Sequence, residues 1–187
     1  MRGFDRVTVA EVAAAAGVSE KTVFNYFPTK EDLVYDEAPA RQAALVHAIG
    51  SRNPGESIVS ALQRLQERDC ARLCGTGFAT FARIIEESPA LRAKELEVMA
   101  QFTEVLARAI AADLGCHEAD AKIASTMLVG VHWQLFRAAR SQALAGRSGP
   151  AAVRQLRADL RRAYRLLEEG LGGLERSERA RPEASGA

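Results

Sequence analysis

The chain has 187 residues, 48% of them hydrophobic and 26% charged, with a formal net charge of +1. That is enough length for a sizeable core and an ordinary globular composition, and it excludes a disordered chain or one that coats nucleic acid by bulk charge. No run approaches the ~18 consecutive apolar residues of a membrane span, the N-terminus lacks a charged start followed by an apolar stretch, and Cys70, Cys74 and Cys116 make an odd set, so a reducing cytoplasm is expected.

Almost every segment repeats its apolar residues with the helical period and almost none alternates, which predicts an all-α protein. Thr8 reads as an N-cap, with Glu11 completing a capping box before VAAAA, and Gly17 can take the left-handed conformation that ends a helix. Ser19 caps a second short helix that runs through Tyr26 and stops before Pro28. Thr29 then opens a third, with Glu31 and Asp32 where the helix dipole favours them. This third helix is expected to run from residue 29 to about Gly50, with a kink at Pro39.

Asn53-Pro54-Gly55 is a clear break, and further helices are expected over residues 55–73, 76–87, 89–114, 118–145 and 150–174. Residues 175–187 read as a frayed tail. The last two long helices have clean stripes: Ala124, Leu128, Val131, Leu135 and Ala138 on one; Val153, Leu156, Leu160, Ala163, Leu167, Leu171 and Leu174 on the other. Such stripes either pack inside their own subunit or meet a twin across a two-fold axis in a four-helix bundle. Periodicity alone leaves both open.

Two short helices joined by a Gly-containing turn form a helix-turn-helix, whose second helix lies in the major groove of DNA. Here Val23 and Phe27 fall on the inward side and Val18 closes the turn, while Ser19, Glu20, Lys21, Thr22 and Asn25 face outward. An outward set of hydroxyl, amide and ammonium groups suits phosphate and base contacts. The charge balance runs the other way, with four basic against five acidic side chains in residues 1–34, so placement rather than bulk charge must carry any DNA contact. Taken singly, Tyr26 and Phe24 also read as core aromatics, and Lys21 and Asn25 as solvent-facing residues.

The stretch FDRVTVAEVAAAAGVSEKTVFNYFPTKEDLV resembles the DNA-binding region of TetR-family transcriptional regulators over roughly residues 3–34. The likeness rests on the Thr-initiated alanine helix, the G-V-S turn, the aromatic end of the second helix and the Lys-Glu-x-Leu opening of the next. It implies that Thr8 and Lys30 hold phosphates, that Tyr26 touches the DNA backbone, and that Lys21, Thr22 and Asn25 reach bases. Lys30 also sits at a helix N-terminus, whose free N–H groups attract phosphate. The family pattern begins with an amphipathic helix ending near the positions of Arg2, Gly3 and Phe4, so a DNA-binding head lacking that first helix is expected here.

The C-terminal stretch IIEESPALRAKELEVMAQFTEVLARAIAADLG resembles an actinobacterial branch of the same family that includes mycofactocin-system regulators, which implies an apolar or acyl-CoA-like effector. Phe78, Phe81, Met99, Phe102, Trp133 and Phe136, with Ile85 and Leu106, supply aromatic and flexible apolar surface to line a pocket between helices. For any one of them a filled core is the competing reading. Trp133 stands out because its indole N–H wants a partner even when buried. His132 beside it could hydrogen-bond a ligand or be a satisfied core histidine.

Cys70 and Cys74 share a helix face without a second ligand pair to complete a metal site, and there is no phosphate-cradling glycine loop or serine elbow. No metal, cofactor or catalytic residue is expected. The sequence therefore points to a ligand-released repressor that binds a palindromic operator as a homodimer, not to an enzyme. Its expected parts are a head over 1–34, a ligand-binding and dimerisation body over 35–174 and a tail. The alternative is a helical ligand- or partner-binding dimer whose head is too incomplete to grip DNA.

Overall fold

The computed structural model describes residues 3–169; Arg2, Leu171, Leu174 and the tail expected over 175–187 lie outside the described residues. Local chemistry sets the first elements. Thr8 and Glu11 form the reciprocal capping box, with the Glu11 amide donating to the Thr8 hydroxyl at 3.2 Å and the Thr8 amide to the Glu11 carboxylate at 2.9 Å. The helix they open, α1 (Val9–Ala16), closes at Gly17, where φ is +70° and a side chain would be strained. Ser19 caps α2 (Glu20–Tyr26) by accepting from the Thr22 amide at 3.1 Å.

The expected third helix is not continuous. After Pro28 the chain makes a 3₁₀ turn, Glu31–Leu33, started by reciprocal hydrogen bonds between Thr29 and Asp32, and then an irregular stretch through Glu37. Helix α3 (Ala38–Gly50) begins only there, with Pro39 in its first turn. Proline costs nothing where the amide has no intrahelical partner, so Pro39 starts a helix instead of kinking one. The remaining helices are α4 (Ile58–Leu73), α5 (Thr76–Glu87), α6 (Pro89–Leu114), α7 (Glu118–Leu144) and α8 (Gly149–Glu169). Among the described residues there is no strand, and the protein is all-α.

The long helices α6 and α7 lie side by side as the spine of the body. Helix α8 packs against α4 and α7, and α3 against α4 and α6. Leu62, Leu106, Ile110, Leu156 and Leu160 are almost wholly removed from solvent, each contributing roughly 1.5–3 kcal/mol of apolar burial. Leu128 and Leu135 of α7 join them, and Ala124, Val131, Ala138, Val153 and Leu167 pack against the same cluster. These described stripe residues all touch the chain's own core, Ala124, Val131, Ala138, Val153 and Leu167 keeping part of their surface outside it. Helix α7 keeps a different face exposed, carrying Ile123, Met127 and Gly130.

Candidate nucleic-acid interface and cavity

The head is built so that one face of α2 is free. Val23 is buried and Phe27 half-buried, as the inward side requires, while Glu20, Lys21, Asn25 and Tyr26 are exposed, Tyr26 by 76%. Val18 closes the turn through its amide, which donates to the Ala13 carbonyl at 3.0 Å, but its side chain is 43% exposed. Three of the hydroxyls expected at DNA have structural work as well. Thr8 is held in its capping box, and the Ser19 and Thr22 hydroxyls are 2.8 Å apart across the α2 cap.

Lys30 has an unexpected place. Its ammonium donates to the carbonyls of Phe4 and Val7, both at 3.0 Å, and stands 4.2 Å from the centre of the Phe4 ring. It clamps the turn that precedes α1, and one of its three N–H donors is left over.

Three contacts fasten the head and the joint that follows it to the N-terminal end of α6. The buried Ser88, which caps α6 by accepting from the Leu91 amide, donates its hydroxyl to Asp5 at 2.6 Å. Tyr35 donates to the Leu91 carbonyl at 3.0 Å. Lys94 and Asp32 are paired at 2.9 Å. Burial alone would raise the Asp32 carboxyl, but hydrogen bonds from Lys94 and Thr29 outweigh it and hold the group below its usual range.

Further along α6 lies a half-open cavity of about 560 Å³, within the range of small-molecule sites. Helix α5 contributes Phe78 and Phe81, α6 contributes Met99 and Phe102, and α7 contributes His132, Trp133 and Phe136. The cavity thus collects all seven residues singled out in the sequence, whereas Ile85 and Leu106 belong to the packed core. The rings touch one another: Phe136 meets Phe78 and Phe81 edge-on, with centroids 5.4 and 5.8 Å apart. Trp133 stacks on Phe136 and His132 on Phe102.

The wall also contains residues that sequence reasoning missed. Val34, Tyr35 and Ala38 come from the segment joining the 3₁₀ turn to α3, and Arg41 and Arg72 stand at the charged rim. Arg72 pairs with Glu37, while Arg41 lies 3.2 Å from Asp69 and 3.9 Å from Glu37. No local signal marks them, because each reaches the cavity only through packing between distant segments.

His132 Nδ1 is sealed from solvent and has no hydrogen-bond partner among the described residues. Burial, with the Arg72 charge adding to it, pulls the imidazole down to about 4, so the ring is neutral near pH 7. Cys70 and Cys74 are free thiols packed in the core, and burial pushes Cys70 up to about 11, which keeps it protonated and unreactive.

The head is thus a helix-turn-helix with an exposed polar face, fastened to a helical body with an aromatic cavity. Residues 1–35 match the family described as "Bacterial regulatory proteins, tetR family", and residues 76–172 match the "MftR C-terminal domain". The chain belongs to the tetR family of bacterial regulatory proteins. It is similar to the HTH-type transcriptional regulator TcmR of Streptomyces glaucescens, at 27% identity over 122 residues, covering 61% of this chain and 54% of TcmR. It is equally similar to MftR of Mycobacterium tuberculosis, named as a mycofactocin biosynthesis transcriptional regulator, at 27% over 120 residues, covering 58% of this chain and 56% of MftR. The chain spans about half the length of the curated relatives it matches.

Proposed function

We propose that this regulator is a ligand-released repressor that binds a palindromic operator as a homodimer, with a head over residues 1–34 and a ligand-binding and dimerisation body from 35 onward. The observation that carries the reading is that one segment, Val34 to Ala38, is both the joint between head and body and part of the cavity wall. A small molecule in the cavity touches that joint directly. It shifts DNA affinity only by its differential affinity for the head positions that bind and do not bind DNA.

In this reading Lys21, Thr22 and Asn25 reach base edges. Thr8, Ser19, Tyr26 and the remaining N–H of Lys30 contact the DNA backbone. Phe78, Phe81, Met99, Phe102, His132, Trp133 and Phe136 hold the effector. The exposed face of α7 at Ile123, Met127 and Gly130 meets its counterpart in a second copy, setting two reading helices one DNA turn apart, about 34–36 Å. The protein acts by binding and not by catalysis, in the cytoplasm where the DNA is.

The test is binding of the purified chain to a labelled fragment of its own upstream DNA at two salt concentrations. Specific binding that weakens with salt supports the reading. Equal affinity for unrelated DNA at both concentrations defeats it.

A further inference from the structure

The cavity's walls restrict what it can take. Two nearly parallel ring pairs run along it, Trp133 on Phe136 at 5.9 Å and 14°, and Phe102 on His132 at 5.6 Å and 17°. A flat aromatic molecule can extend such stacks or meet the edges of Phe78 and Phe81. An alkyl chain gains nothing from that geometry beyond its own burial.

The polar complement is equally specific. His132 Nδ1 is sealed off and unpaired, while Nε2 is neither sealed nor hydrogen-bonded. An unpaired N–H is a rarer occupant of a sealed position than an unpaired acceptor, so the proton of the neutral ring sits on Nε2. The cavity thus receives an N–H donor, and the Trp133 indole N–H beside it also lacks a partner among the described residues. The rim guanidiniums of Arg41 and Arg72 are already neutralised by Asp69 and Glu37. An ionic head group would have to break those pairs.

We infer that the effector is a neutral, flat, polycyclic aromatic molecule bearing a carbonyl-type acceptor, held by stacking on the Trp133–Phe136 and Phe102–His132 pairs and by a hydrogen bond from His132 Nε2. The inference rests on the reading of this cavity as the effector site.

The test titrates the full chain with 9-fluorenone, with fluorene, which has the same skeleton but no carbonyl, and with lauroyl-CoA. Binding is followed by calorimetry and by the fluorescence of Trp133, the single tryptophan of the chain. Fluorenone is expected to bind about tenfold more tightly than fluorene, the value of one neutral hydrogen bond. His132→Phe keeps a ring on Phe102 and should bind the two alike. His132→Gln restores an N–H and should recover part of the preference, and circular dichroism checks that both variants are folded.

Equal binding of fluorenone and fluorene by the natural chain, or a preference that survives His132→Phe, overturns the inference. Binding of lauroyl-CoA in place of fluorenone also overturns it, while leaving the cavity an effector site. If fluorenone binds with the expected pattern but leaves operator affinity unchanged, the ligand class holds and the effector reading fails.

Discussion

In the proposed reading Lys30 carries two duties, one in the fold and one at DNA. Two of its donors are committed to the Phe4 and Val7 carbonyls, and only the third is available to a phosphate. Lys30→Ala is expected to cost about 1–2 kcal/mol in stability, as a partly exposed charged hydrogen-bond donor is lost. It should also weaken binding to every operator variant alike and make the salt slope shallower by about one. Plots of affinity against salt for two operator variants check this, and an altered base preference would count against the phosphate role. His132 offers a second prediction, in pH. An unfolded histidine takes up its proton near pH 6.5, and the folded one only near 4. Between those values the unfolded chain binds a proton that the folded chain refuses, so stability falls as pH drops through the window. The loss from this group is on the order of 3 kcal/mol at most. Denaturant melts at pH 7, 5.5 and 4.5 should show a smaller decline for His132→Phe, the difference between the two curves isolating His132 from the carboxyl groups.

At the scale of elements, the proposed coupling of cavity to head runs through the joint between head and body. The N-terminal end of α6 holds Asp5, Asp32 and Tyr35 through Ser88, Lys94 and the Leu91 carbonyl, and its middle turns line the cavity with Met99 and Phe102. Tyr35 belongs to both ends, packing edge-on against Phe81 at 6.1 Å and hydrogen-bonding to α6. Tyr35→Phe keeps the ring and removes the bond, at about 1 kcal/mol of stability. It should leave fluorenone affinity within about threefold and reduce the factor by which fluorenone weakens operator binding. A coupling factor unchanged from the natural chain would show that the Tyr35 hydroxyl transmits nothing. Most of these elements were legible in the sequence, because caps and breakers act locally: Thr8, Gly17 and Ser19 end or begin helices where expected. The expected helix over 29–50 failed for a reason equally physical. Apolar periodicity cannot tell a continuous helix from a turn and a helix in register, and Pro39 suits a first turn better than an interior.

For the whole molecule, the issue is which surface meets a second copy. The described residues of the apolar stripes pack on the chain's own core, and the exposed α7 positions Ile123, Met127 and Gly130 recur at helical spacing about a quarter turn away. Replacing Ile123 and Met127 together by glutamate should give a monomeric mass in light scattering and weaken operator binding by on the order of a hundredfold, with little change in the melt. A dimer that persists would place the interface elsewhere. What the sequence determined by itself is local or registered: an all-α chain, its caps and turns, and the helix-turn-helix with its outward polar set. Hydrophobic period and capping chemistry operate within a few residues and need no tertiary knowledge. The tertiary structure alone decided the rest. It brought Tyr35, Arg41 and Arg72 to the cavity, turned Lys30 onto Phe4 and Val7, tied Asp5 to Ser88, and chose which α7 face stays outside. Each of these joins residues that are 23 or more positions apart or belong to different helices, and only the closing of the core brings them into contact.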